Sequence, residues 1–543
     1  MDSKRVRTAL ISVYHKEGLE ILLDALGRLD VKILSTGGTY DWMAKQGYQA
    51  TRIEDLTGFP SILGGRVKTL HPKVFGGILG RPSLETDQLD MDAYGLDPID
   101  MVVVDLYPFA EKLQQVGIEH ATDSQDELIE LVDIGGVSLL RAAAKNYQEI
   151  LSVCQRDEYS AVAEMLSAQD GITTLRQRAL QARRTMQEVA RYDLDIATFY
   201  STAIQSTTER NGEKGGSSSH SQHSLELQNQ SKQVFVKALS SDSVFPLRYG
   251  ENPHQAGSFL GDLSTCFTQL SGKDLSYNNL LDIDAGWHLV EDIETAYTVG
   301  IIKHGTPCGL ASSDTVLSAF ELALAGDPVS AFGGIIITNG TVDSTTAQAL
   351  DRLFFEVCLA PSYSPVALEI LSKRKNRILL QRVPGAISQP VQIRTALTGV
   401  LVQQPDTERY ENGLGHCVTE KQPTEEQLRS LRFAMLAAKH CKSNAIAIAK
   451  GRQLIGCSAG ETSRVDAVRH AMEKAERFGF SLKGAVLASD GFFPFSDSVE
   501  MAMDKGIYTF VQPGGSVRDG DSIAACNARW GIMVFTGRRH FKH

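Results

Sequence analysis

The sequence predicts an α/β protein whose first part is built on a parallel β-sheet. Short apolar runs alternate along the chain with segments of helical periodicity, and strand–helix–strand alternation favours parallel strands joined by right-handed crossovers. The run over 101–104 is rich in valine, as expected of a strand that is covered on both faces. Both observations indicate the same fold class.

In the N-terminal part, the pattern predicts two strands with a helix between them and a third strand farther along. The strands are expected over 8–14, 31–35 and 101–106, and the helix over 17–29. The same alternation returns in the C-terminal part. Strands are expected there over 299–303, 334–338, 445–449, 484–488 and 532–535, and helices over 314–325, 424–440 and 464–478. Two α/β units of similar size could fill these roughly 310 residues.

A polar segment over 206–231 separates the two parts. Its clearly apolar residues are Leu225 and Leu227 alone, so it cannot bury enough surface to offset its ordering entropy. His220 and His223 lie in this segment, but no third ligand is close in sequence, which favours a solvated loop over a metal site. The predicted organisation is a domain over 1–204, a flexible polar linker or insertion over 205–232, and a second region over 233–543.

Composition narrows the class of protein. The chain has 543 residues, of which 42% are hydrophobic, and 54 Lys and Arg against 65 Asp and Glu give a net charge of −11. An acidic chain lacks the basic field of a general nucleic-acid binder, and its apolar runs are too short to span a bilayer. Eight scattered cysteines without a CxxC pair, and an N-terminus without a signal peptide's apolar core, favour a reduced, cytoplasmic location. We therefore expect no nucleic acid and no membrane among its partners.

Three loops in the N-terminal part carry groups suited to binding an anion. In parallel sheets, ligands bind where strands end, beside the N-termini of helices. The chain contains neither a GxxxxGK[ST] nor a GxGxxG motif, which favours a monophosphate over a nucleoside triphosphate or a dinucleotide. The polar groups and glycines of these loops are Ser12, Lys16, Ser35, Thr36, Gly37, Gly38, Arg66, Lys68 and Thr69.

A fourth segment starts with Asp133 and two glycines and continues as a helix. Ser138 and Lys145 are seven residues apart, about two helical turns, so they share one face of that helix. Taken by itself, Lys145 would be a solvated surface lysine.

Five strings in this part resemble one known family. In chain order they are ISVYHK, STGGT, GRVKTLHP, DLYPF and DIGGVSLLRAAAKN. They are similar to the N-terminal half of the bifunctional purine-biosynthesis family, which joins a phosphoribosylaminoimidazolecarboxamide formyltransferase to an inosine-monophosphate (IMP) cyclohydrolase. The resemblance implies that residues 1–204 form a methylglyoxal-synthase-like cyclohydrolase domain.

The C-terminal part resembles the formyltransferase half of that family along essentially its whole length. The strings are LRYGENPHQ, GKDLSYNNLLD, IKHGTPCG, VSAFGG, KSNA, SRVD, SDGFFPF and VQPGGSVRD. The resemblance implies two cytidine-deaminase-like α/β/α subdomains without the zinc of that fold. The chain has no PCxxC motif, in keeping with this, and we expect no catalytic metal.

The resemblance also implies roles for individual residues. In ring closure, the catalytic groups would be Lys68, Tyr107, Asp133, Lys145 and Asp105, with the three loops holding the nucleotide. In formyl transfer, the catalytic groups would be Lys303, His304 and Asn444. The nucleotide phosphate would be bound by Arg248, Tyr249, Lys375 and Arg539, and the folate pocket would be lined by Phe332, Gly333, Arg464, Phe492, Pro494, Phe495 and Asp497.

The chemistry of formyl transfer suits the catalytic set. The co-substrate 10-formyltetrahydrofolate gives its formyl group to an aromatic amine whose lone pair is conjugated, so attack needs proton removal and oxyanion stabilisation. A histidine suits proton transfer near neutral pH, Lys303 supplies positive charge, and Asn444 can donate to the formyl oxygen. An isolated Lys-His pair would be a surface cation beside a core histidine. The Gly and Pro residues that follow His304 predict a tight loop, which favours a functional site.

Asp105 is the most consequential departure from the family's usual pattern. Asparagine is usual there, and an amide can donate to an oxyanion, whereas an ionised carboxylate repels it. Tyr14 and His15 stand where Ser and Asp are common, and Phe75 where histidine is common. Three outcomes are open: Asp105 is protonated, a neighbour such as Lys145 compensates its charge, or this half is weakened.

The leading hypothesis is a bifunctional enzyme that transfers a formyl group and then closes the ring to IMP with loss of water. The alternative keeps the formyltransferase active and makes the first domain weakened or nucleotide-sensing. The resemblance further implies purine nucleotide monophosphates and reduced folate as ligands, and a homodimer whose formyltransferase sites form across the subunit interface.

Overall fold

In the computed structural model, the chain forms two compact units, Met1–Lys232 and Gln233–His543. The structure describes residues 3–65, 67–116, 124–210, 227, 231, 234, 244–293, 297–385 and 391–543. Arg66 and most of the expected linker therefore lie outside the described residues. Within these ranges, none of the helices combines the length and the apolar character needed to cross a bilayer.

A parallel β-sheet forms the centre of the first unit. Its strands are β1 (Ser3–Arg5), β2 (Thr8–Val13), β3 (Lys32–Ser35), β4 (Thr51–Arg52), β5 (Met101–Asp105), β6 (Leu151–Val153) and β7 (Ile172–Thr174). Strands β4-β3-β2-β5-β6 pair in this order, all in parallel, and β1 and β7 form a separate antiparallel pair. Val102 and Val103 enter different cores, so β5 is covered on both faces, as its run of valines predicts.

Helices cover both faces of this sheet. They are α1 (Leu19–Arg28), α2 (Gly37–Lys45), α3 (Ile53–Thr57), α4 (Pro72–Leu79), α5 (Glu85–Tyr94), α6 (Phe109–Val116), α7 (Gln125–Glu130), α8 (Gly135–Lys145), α9 (Tyr159–Ala168) and α10 (Leu175–Arg210), with 3-10 turns at Leu63–Gly65 and Arg156–Glu158. The predicted strands and the predicted helix of this part are confirmed to within two residues at each end. Helix α10 continues to Arg210, beyond residue 204, where we expected the linker to begin.

A mixed sheet of twelve strands runs through the second unit. The strands of this unit are β8 (Val244–Pro246), β9 (Ser258–Leu260), β10 (Phe267–Ser271), β11 (Tyr297–Lys303), β12 (Thr306–Ser313), β13 (Ile335–Thr338), β14 (Val357–Ala360), β15 (Ile378–Arg382), β16 (Gln392–Ala396), β17 (Gly399–Gln403), β18 (His416–Cys417), β19 (Ile446–Lys450), β20 (Gln453–Ser458), β21 (Val486–Ser489), β22 (Thr509–Gln512) and β23 (Ile532–Phe535). The sheet order is β10-β15-β14-β13-β11-β12-β20-β19-β21-β22-β23-β18, and β8-β9 and β16-β17 are separate antiparallel pairs.

The helices of the second unit include the three that the sequence predicts. They are α11 (Tyr277–Asp292), α12 (Val316–Gly326), α13 (Ser344–Asp351), α14 (Pro365–Ser372), α15 (Glu425–Lys439), α16 (Arg464–Arg477), α17 (Asp497–Asp504) and α18 (Asp519–Ala528), with a 3-10 turn at Leu263–Thr265. Capping boxes at Ser276 and Thr424 satisfy the first amides of α11 and α15 and fix where these helices begin.

The twelve-stranded sheet repeats its own plan. Each half has an antiparallel hairpin, β11-β12 or β19-β20, beside three strands that run parallel to one another, β13-β14-β15 or β21-β22-β23. The halves meet where β12 pairs with β20 through Ala311 and Gln453. The sheet is mixed rather than parallel throughout, because two-residue turns connect the strands of each hairpin, and so short a connection joins only antiparallel strands.

Candidate functional sites

A cleft of about 630 Å³ opens at the carboxyl ends of β2, β3 and β5 in the first unit. The parallel topology brings together at this edge loops that are far apart in sequence. The predicted residues that line the cleft are Ser12, Lys16, Thr36, Gly38, Lys68, Thr69, Asp105, Tyr107 and Asp133.

Hydroxyl groups tie the first two loops of the cleft together. Ser12 Oγ lies 2.8 Å from Thr36 Oγ1. Thr39 Oγ1 donates to the carbonyl of Val13 and accepts from its N–H. Thr39 also lines the cleft. It is not among the predicted site residues, and its place in the STGGT string is the signal that could have identified it. Ser35 is fully buried, and its Oγ donates to a backbone carbonyl of β2. It therefore supports the loop from below, and its contact with the nucleotide stays a prediction.

Two lysines bring positive charge to the cleft. Lys16 Nζ donates to the carbonyls of Val13 and Tyr14 at 2.5 and 2.6 Å, and burial lowers the pKa of this lysine against the opposing effect of Asp105. Lys68 Nζ lies beside Gly37, where an added Cβ would stand 3.7 Å from it. Because α2 begins at Gly37, its first N–H groups and the Lys68 ammonium act on the same anion-binding space.

Asp133 lies at the N-terminus of α8. Its Oδ1 accepts a hydrogen bond from the N–H of Gly136 at 2.7 Å, and its own N–H donates to the phenol oxygen of Tyr192 at 2.8 Å. Burial raises the pKa of the Asp133 carboxyl despite its hydrogen bonds to backbone N–H groups. A Cβ at Gly136 would overlap the Asp133 carboxylate, and one at Gly135 would stand 2.7 Å from Thr69 Oγ1. The two glycines are therefore required for these close approaches.

Tyr107 shares the cleft with Asp133. Burial, and then the nearby charge of Asp133, raise the pKa of the Tyr107 phenol, so the phenol is protonated and can donate. A protonated phenol near a carboxyl group of raised pKa suits proton transfer. Tyr200 of α10 also lines this cleft, and nothing in the sequence around it points to that position.

Two departures from the family pattern meet at the rim of the cleft. His15 Nδ1 lies 2.8 Å from Asp105 Oδ2, and the same oxygen accepts from the backbone N–H of His15 at 2.7 Å. His15 is therefore the neighbour that hydrogen-bonds the Asp105 carboxylate, and the charge of Asp105 also acts on Lys16. Lys145, the neighbour that we expected, is exposed at the last residue of α8, about 15 Å along the helix from Gly135. It does not line the cleft, and its role in ring closure stays a prediction.

In the second unit, Lys303 and His304 lie where β11 turns into β12. His304 and Gly305 have φ angles of 54° and 72°, the left-handed pair that a type I′ hairpin turn requires. Lys303 Nζ donates to the carbonyl of Phe332 at 2.7 Å, and His304 is exposed. The predicted tight loop is confirmed, but the chain does not leave the sheet after it. β12 follows at once and carries Pro307 beside a bulge in the ladder, where proline is tolerated.

Asp282 of α11 binds this turn from the helix side. Its Oδ2 accepts from the backbone N–H of His304 at 3.3 Å, and its Oδ1 accepts from that of Gly305 at 2.5 Å. Burial raises the pKa of the Asp282 carboxyl, and these two hydrogen bonds oppose that effect. Asp282 ends the GKDLSYNNLLD string, but nothing in the string distinguishes it from the residues around it.

Asn444 lies just before β19 in a second cluster. Arg464 Nη2 donates to Asn444 Oδ1 at 2.7 Å, and Asn444 Nδ2 donates to the carbonyl of Glu461 at 2.8 Å. The buried Arg464 side chain also pairs with Asp490. Because a guanidinium only donates, the amide oxygen must face it, and one N–H of the Asn444 amide is left for a ligand.

The Lys303–His304 turn and the Asn444 cluster lie at the same end of the sheet without touching. Strands β11, β12, β20 and β19 are consecutive neighbours, so three strand intervals, roughly 14 Å, separate the end of β11 from the start of β19. Within the described part of the chain, no group of three or more His, Cys, Asp or Glu side chains is arranged to hold a metal ion.

The cations expected to bind the nucleotide phosphate are exposed. Arg248 stacks over the ring of Tyr249 and donates to its hydroxyl at 2.8 Å. Lys375 lies in the turn between α14 and β15, and Arg539 stacks on Phe541.

Three of the aromatic residues expected to bind the folate are exposed. Phe332, Phe492 and Phe495 are 60%, 42% and 50% exposed, whereas Phe493 is fully buried. Phe493 therefore belongs to the core, whereas the three exposed rings are open to a ligand. The remaining members of the set, apart from Arg464, follow these phenylalanines in sequence: Gly333, Pro494 and Asp497.

Comparison with known proteins finds matches that extend over both units. The family model described as AICARFT/IMPCHase bienzyme matches residues 143–474, and that of the MGS-like domain matches residues 18–138. The bifunctional purine biosynthesis protein PurH of Bacteroides thetaiotaomicron is 46% identical over 542 residues, which cover 100% of both chains. The proteins of the same description from Aquifex aeolicus and Chloroflexus aurantiacus are each 42% identical, over 98% and 99% of this chain and 100% and 99% of their own length.

Proposed function

The chain belongs to the AICARFT/IMPCHase bienzyme family, and from this premise we propose how its two units divide the work. It is a bifunctional enzyme of de novo purine biosynthesis, both a phosphoribosylaminoimidazolecarboxamide formyltransferase and an IMP cyclohydrolase. We assign ring closure to residues 1–204 and formyl transfer to residues 233–543, where the two halves of the sheet are the two deaminase-like subdomains. Purine nucleotides and 10-formyltetrahydrofolate as ligands, a homodimer and a cytoplasmic location complete the proposal.

Ring closure takes place in the cleft of the first unit. The carboxamide nitrogen attacks the formyl carbon that was just added, and water leaves. Because the reaction is intramolecular, binding the folded conformer supplies much of the rate. Asp133 takes the proton from the attacking nitrogen while Tyr107 donates a proton to the formyl oxygen, which becomes a hydroxyl. The proton held by Asp133 then lets this hydroxyl leave as water, and the formamide nitrogen returns a proton to the Tyr107 phenolate as the C=N bond forms. The observation that carries this assignment is that Asp133 and Tyr107 line one cleft at the carboxyl ends of the strands, where burial also raises the pKa of both groups.

The nucleotide phosphate binds at the N-terminus of α2. The first N–H groups of that helix, the hydroxyl groups of Ser12 and Thr36, and the Lys16 and Lys68 ammonium groups all surround this space. Thr69 stands against the start of α8, where it can bind the same ligand. Arg66 joins this set by family resemblance. Helix N-termini and lysines together are a common arrangement for phosphate.

Formyl transfer takes place at the β11 end of the second unit. His304 removes the proton from the aromatic amine as its nitrogen attacks the formyl carbon. Lys303 and the free N–H of Asn444 stabilise the oxyanion that forms. The oxyanion then collapses, the bond from the formyl carbon to N10 of the folate breaks, and tetrahydrofolate leaves with the proton that His304 took up. The exposed rings of Phe332, Phe492 and Phe495 suit the flat pterin and benzoyl groups of the reduced folate, since apolar faces with a few polar groups are typical of such sites. Arg248, Tyr249, Lys375 and Arg539 bind the phosphate.

A second copy of the chain completes the formyltransferase site. Three strand intervals separate Lys303 and His304 from Asn444, too far for all three to act on one formyl carbon within one chain. Exposed apolar side chains in the same unit, Leu397 and Leu401, supply surface for an interface between subunits.

Subunit complementation tests this assignment. A chain carrying Lys303→Ala and His304→Ala is mixed, by co-expression, with a chain carrying Asn444→Ala. If sites combine residues of two chains, half of the sites in each heterodimer are intact, and random pairing restores about a quarter of the wild-type formyl-transfer rate. Each variant alone should be inactive in formyl transfer and active in ring closure. An inactive mixture that contains heterodimers would contradict the shared site.

A further inference from the structure

We propose that His15 is a positioning residue for ring closure, which holds the Asp105 carboxylate and offsets its charge at the rim of the cleft. The inference rests on the proposed ring closure in the first unit. It explains how an acidic side chain is tolerated where an oxyanion must be stabilised.

The contact between the two residues is close and directional. One carboxylate oxygen, Asp105 Oδ2, accepts from His15 Nδ1 at 2.8 Å and from the His15 backbone N–H at 2.7 Å. The side chains of His15 and Asp105 are 20% and 14% exposed, so the pair is mostly shielded from water. In such a shielded place, a hydrogen bond to a charged group is stronger than at the surface. The carboxylate is therefore held in one orientation by its histidine neighbour.

The neighbours of His15 determine which of its ring nitrogens carries the proton. An ionised carboxylate only accepts hydrogen bonds, so Nδ1 of His15 carries the proton. The other ring nitrogen, Nε2, faces Glu111 Oε2 at 3.9 Å. Both ring nitrogens thus face acidic oxygens, and a second proton on the ring would place a cation between two anions.

Asp105 connects His15 to the cleft, and His15 itself stays outside it. Asp105 and Tyr107 line the cleft, whereas His15 lines a smaller cavity of about 380 Å³ on the other side of these two residues. The ring of Tyr14 packs edge-on against both His15 and Tyr107, with centroid distances of 4.9 and 5.6 Å. His15 therefore acts on ring closure through Asp105 and through the packing around Tyr107.

The hydrogen bond from His15 to Asp105 has a direct chemical consequence. The oxygen of the formyl group gains negative charge as the carboxamide nitrogen attacks, and an unpaired carboxylate at the rim would repel that charge. A carboxylate that shares its charge with a protonated ring nitrogen repels it less. Removing His15 should therefore slow ring closure, and removing the carboxylate as well should reverse the effect.

A double-mutant cycle on the full chain tests this inference. Ring closure of the formylated nucleotide is measured for wild type, His15→Ala, Asp105→Asn and the double variant. We expect His15→Ala to lower kcat by about tenfold or more with a smaller change in KM, and the double variant to recover to within about threefold of wild type. Glu17→Gln, an exposed change in the same loop, serves as the matched control. Formyl transfer by the same preparations reports on intact folding of the second unit.

Each failure has a distinct meaning. Wild-type chain that does not accelerate ring closure would overturn the proposed function itself. Normal ring closure by His15→Ala would overturn the role of His15 and leave the proposed function standing. A double variant as slow as His15→Ala would show that His15 does not act by offsetting Asp105. If His15→Ala does not fold, His15→Gln, which keeps most of the side-chain volume, takes its place in the cycle with the same expectations.

Discussion

The carboxylate of Asp282 accepts a hydrogen bond from the backbone N–H of His304 at 3.3 Å. Its other oxygen accepts from the next amide of the same turn, so a single side chain on α11 binds both residues between β11 and β12. Left-handed φ angles in a non-glycine residue are unfavourable unless neighbouring groups hold them. Asp282 therefore sets where the His304 side chain leaves the sheet.

Asp282→Asn should lower the kcat of formyl transfer while the KM for the nucleotide stays close to that of wild type. An amide can accept from one of the two backbone N–H groups but turns its own N–H toward the other, so the turn loses a hydrogen bond. We expect a loss of about tenfold, measured by steady-state kinetics. Asp284→Asn, an exposed change on the same helix, is the control. A kcat equal to that of wild type would show that the turn is fixed without Asp282.

Lys303→Ala and His304→Ala should each abolish formyl transfer without affecting ring closure. The two residues belong to the second unit, whereas the groups assigned to ring closure belong to the first. Loss of one group that stabilises the oxyanion or moves the proton costs on the order of 100-fold in rate. Separate assays with the formylated and the unformylated nucleotide measure the two activities. Parallel losses in both assays would contradict this division.

Asp133→Asn should slow ring closure and at the same time stabilise the protein at neutral pH. Burial raises the pKa of this carboxyl above its ordinary 3.8, so folding disfavours its ionised form. Its contribution to stability is complete below that ordinary value and is lost as the pH rises through the raised one. The variant lacks this loss, and we therefore expect it to be more stable than wild type at pH 7.

Thermal unfolding of wild type and Asp133→Asn at several pH values measures this effect. The difference in melting temperature should shrink as the pH falls toward the ordinary value of 3.8, because the wild-type carboxyl takes up its proton in that direction. A variant less stable than wild type at pH 7 would show that the ionised carboxylate is favoured in the folded protein.

His440 should make the second unit sensitive to acid. Its Nε2 lies 2.7 Å from Asp292 Oδ2, and Lys439 Nζ donates to the same oxygen at 2.8 Å. Although burial opposes it, the hydrogen bonds from His440 and Lys439 keep the pKa of Asp292 well below its usual range. Burial lowers the pKa of His440 to about 4, so the imidazole is neutral at pH 7.

The pKa of His440 is lower in the folded protein than its ordinary value of 6.5. Its contribution to stability is therefore fully present above pH 6.5 and is lost as the pH falls toward 4. His440 should thus contribute a loss of about 2 kcal/mol between pH 7 and pH 5. Urea unfolding of wild type and His440→Gln at the two pH values measures it. His440→Gln should be less stable at pH 7 but lose less stability on acidification. Equal losses in both proteins would assign the acid sensitivity to other groups.

The apolar pattern of the sequence predicts the strands and helices that pack against apolar side chains. The strand over 532–535 has the predicted bounds, and β11 ends at Lys303, as expected. Strand β12 was not predicted, because its residues are mostly small or polar, and its strand conformation depends on pairing with β11 and β20. Register and pairing are tertiary properties that local composition does not encode.

Prediction of the functional sites from the sequence meets the same limit, because local composition does not encode tertiary pairing. Helical spacing places Ser138 and Lys145 on one face of α8, but it does not say which end of the helix faces the cleft. The contact of His15 with Asp105 joins residues 90 positions apart, and it exists because β2 pairs with β5 in register. His15 and Asp105 each depart from the family's usual residue, and each looks unfavourable when considered alone. The pairing of β2 with β5 brings the two together and makes them compatible.

The seam between the two halves of the large sheet is narrow. Ala311 and Gln453 are the pair that joins the ladders, and the N–H of Ser312 donates to the carbonyl of Arg452 beside them. Side chains therefore hold the seam: Leu289, Ile302 and Leu310 of the first half share one buried cluster with Leu431, Ala447 and Leu454 of the second. The spacing between the Lys303 and Asn444 edges is thus set by core packing across the seam more than by its ladder.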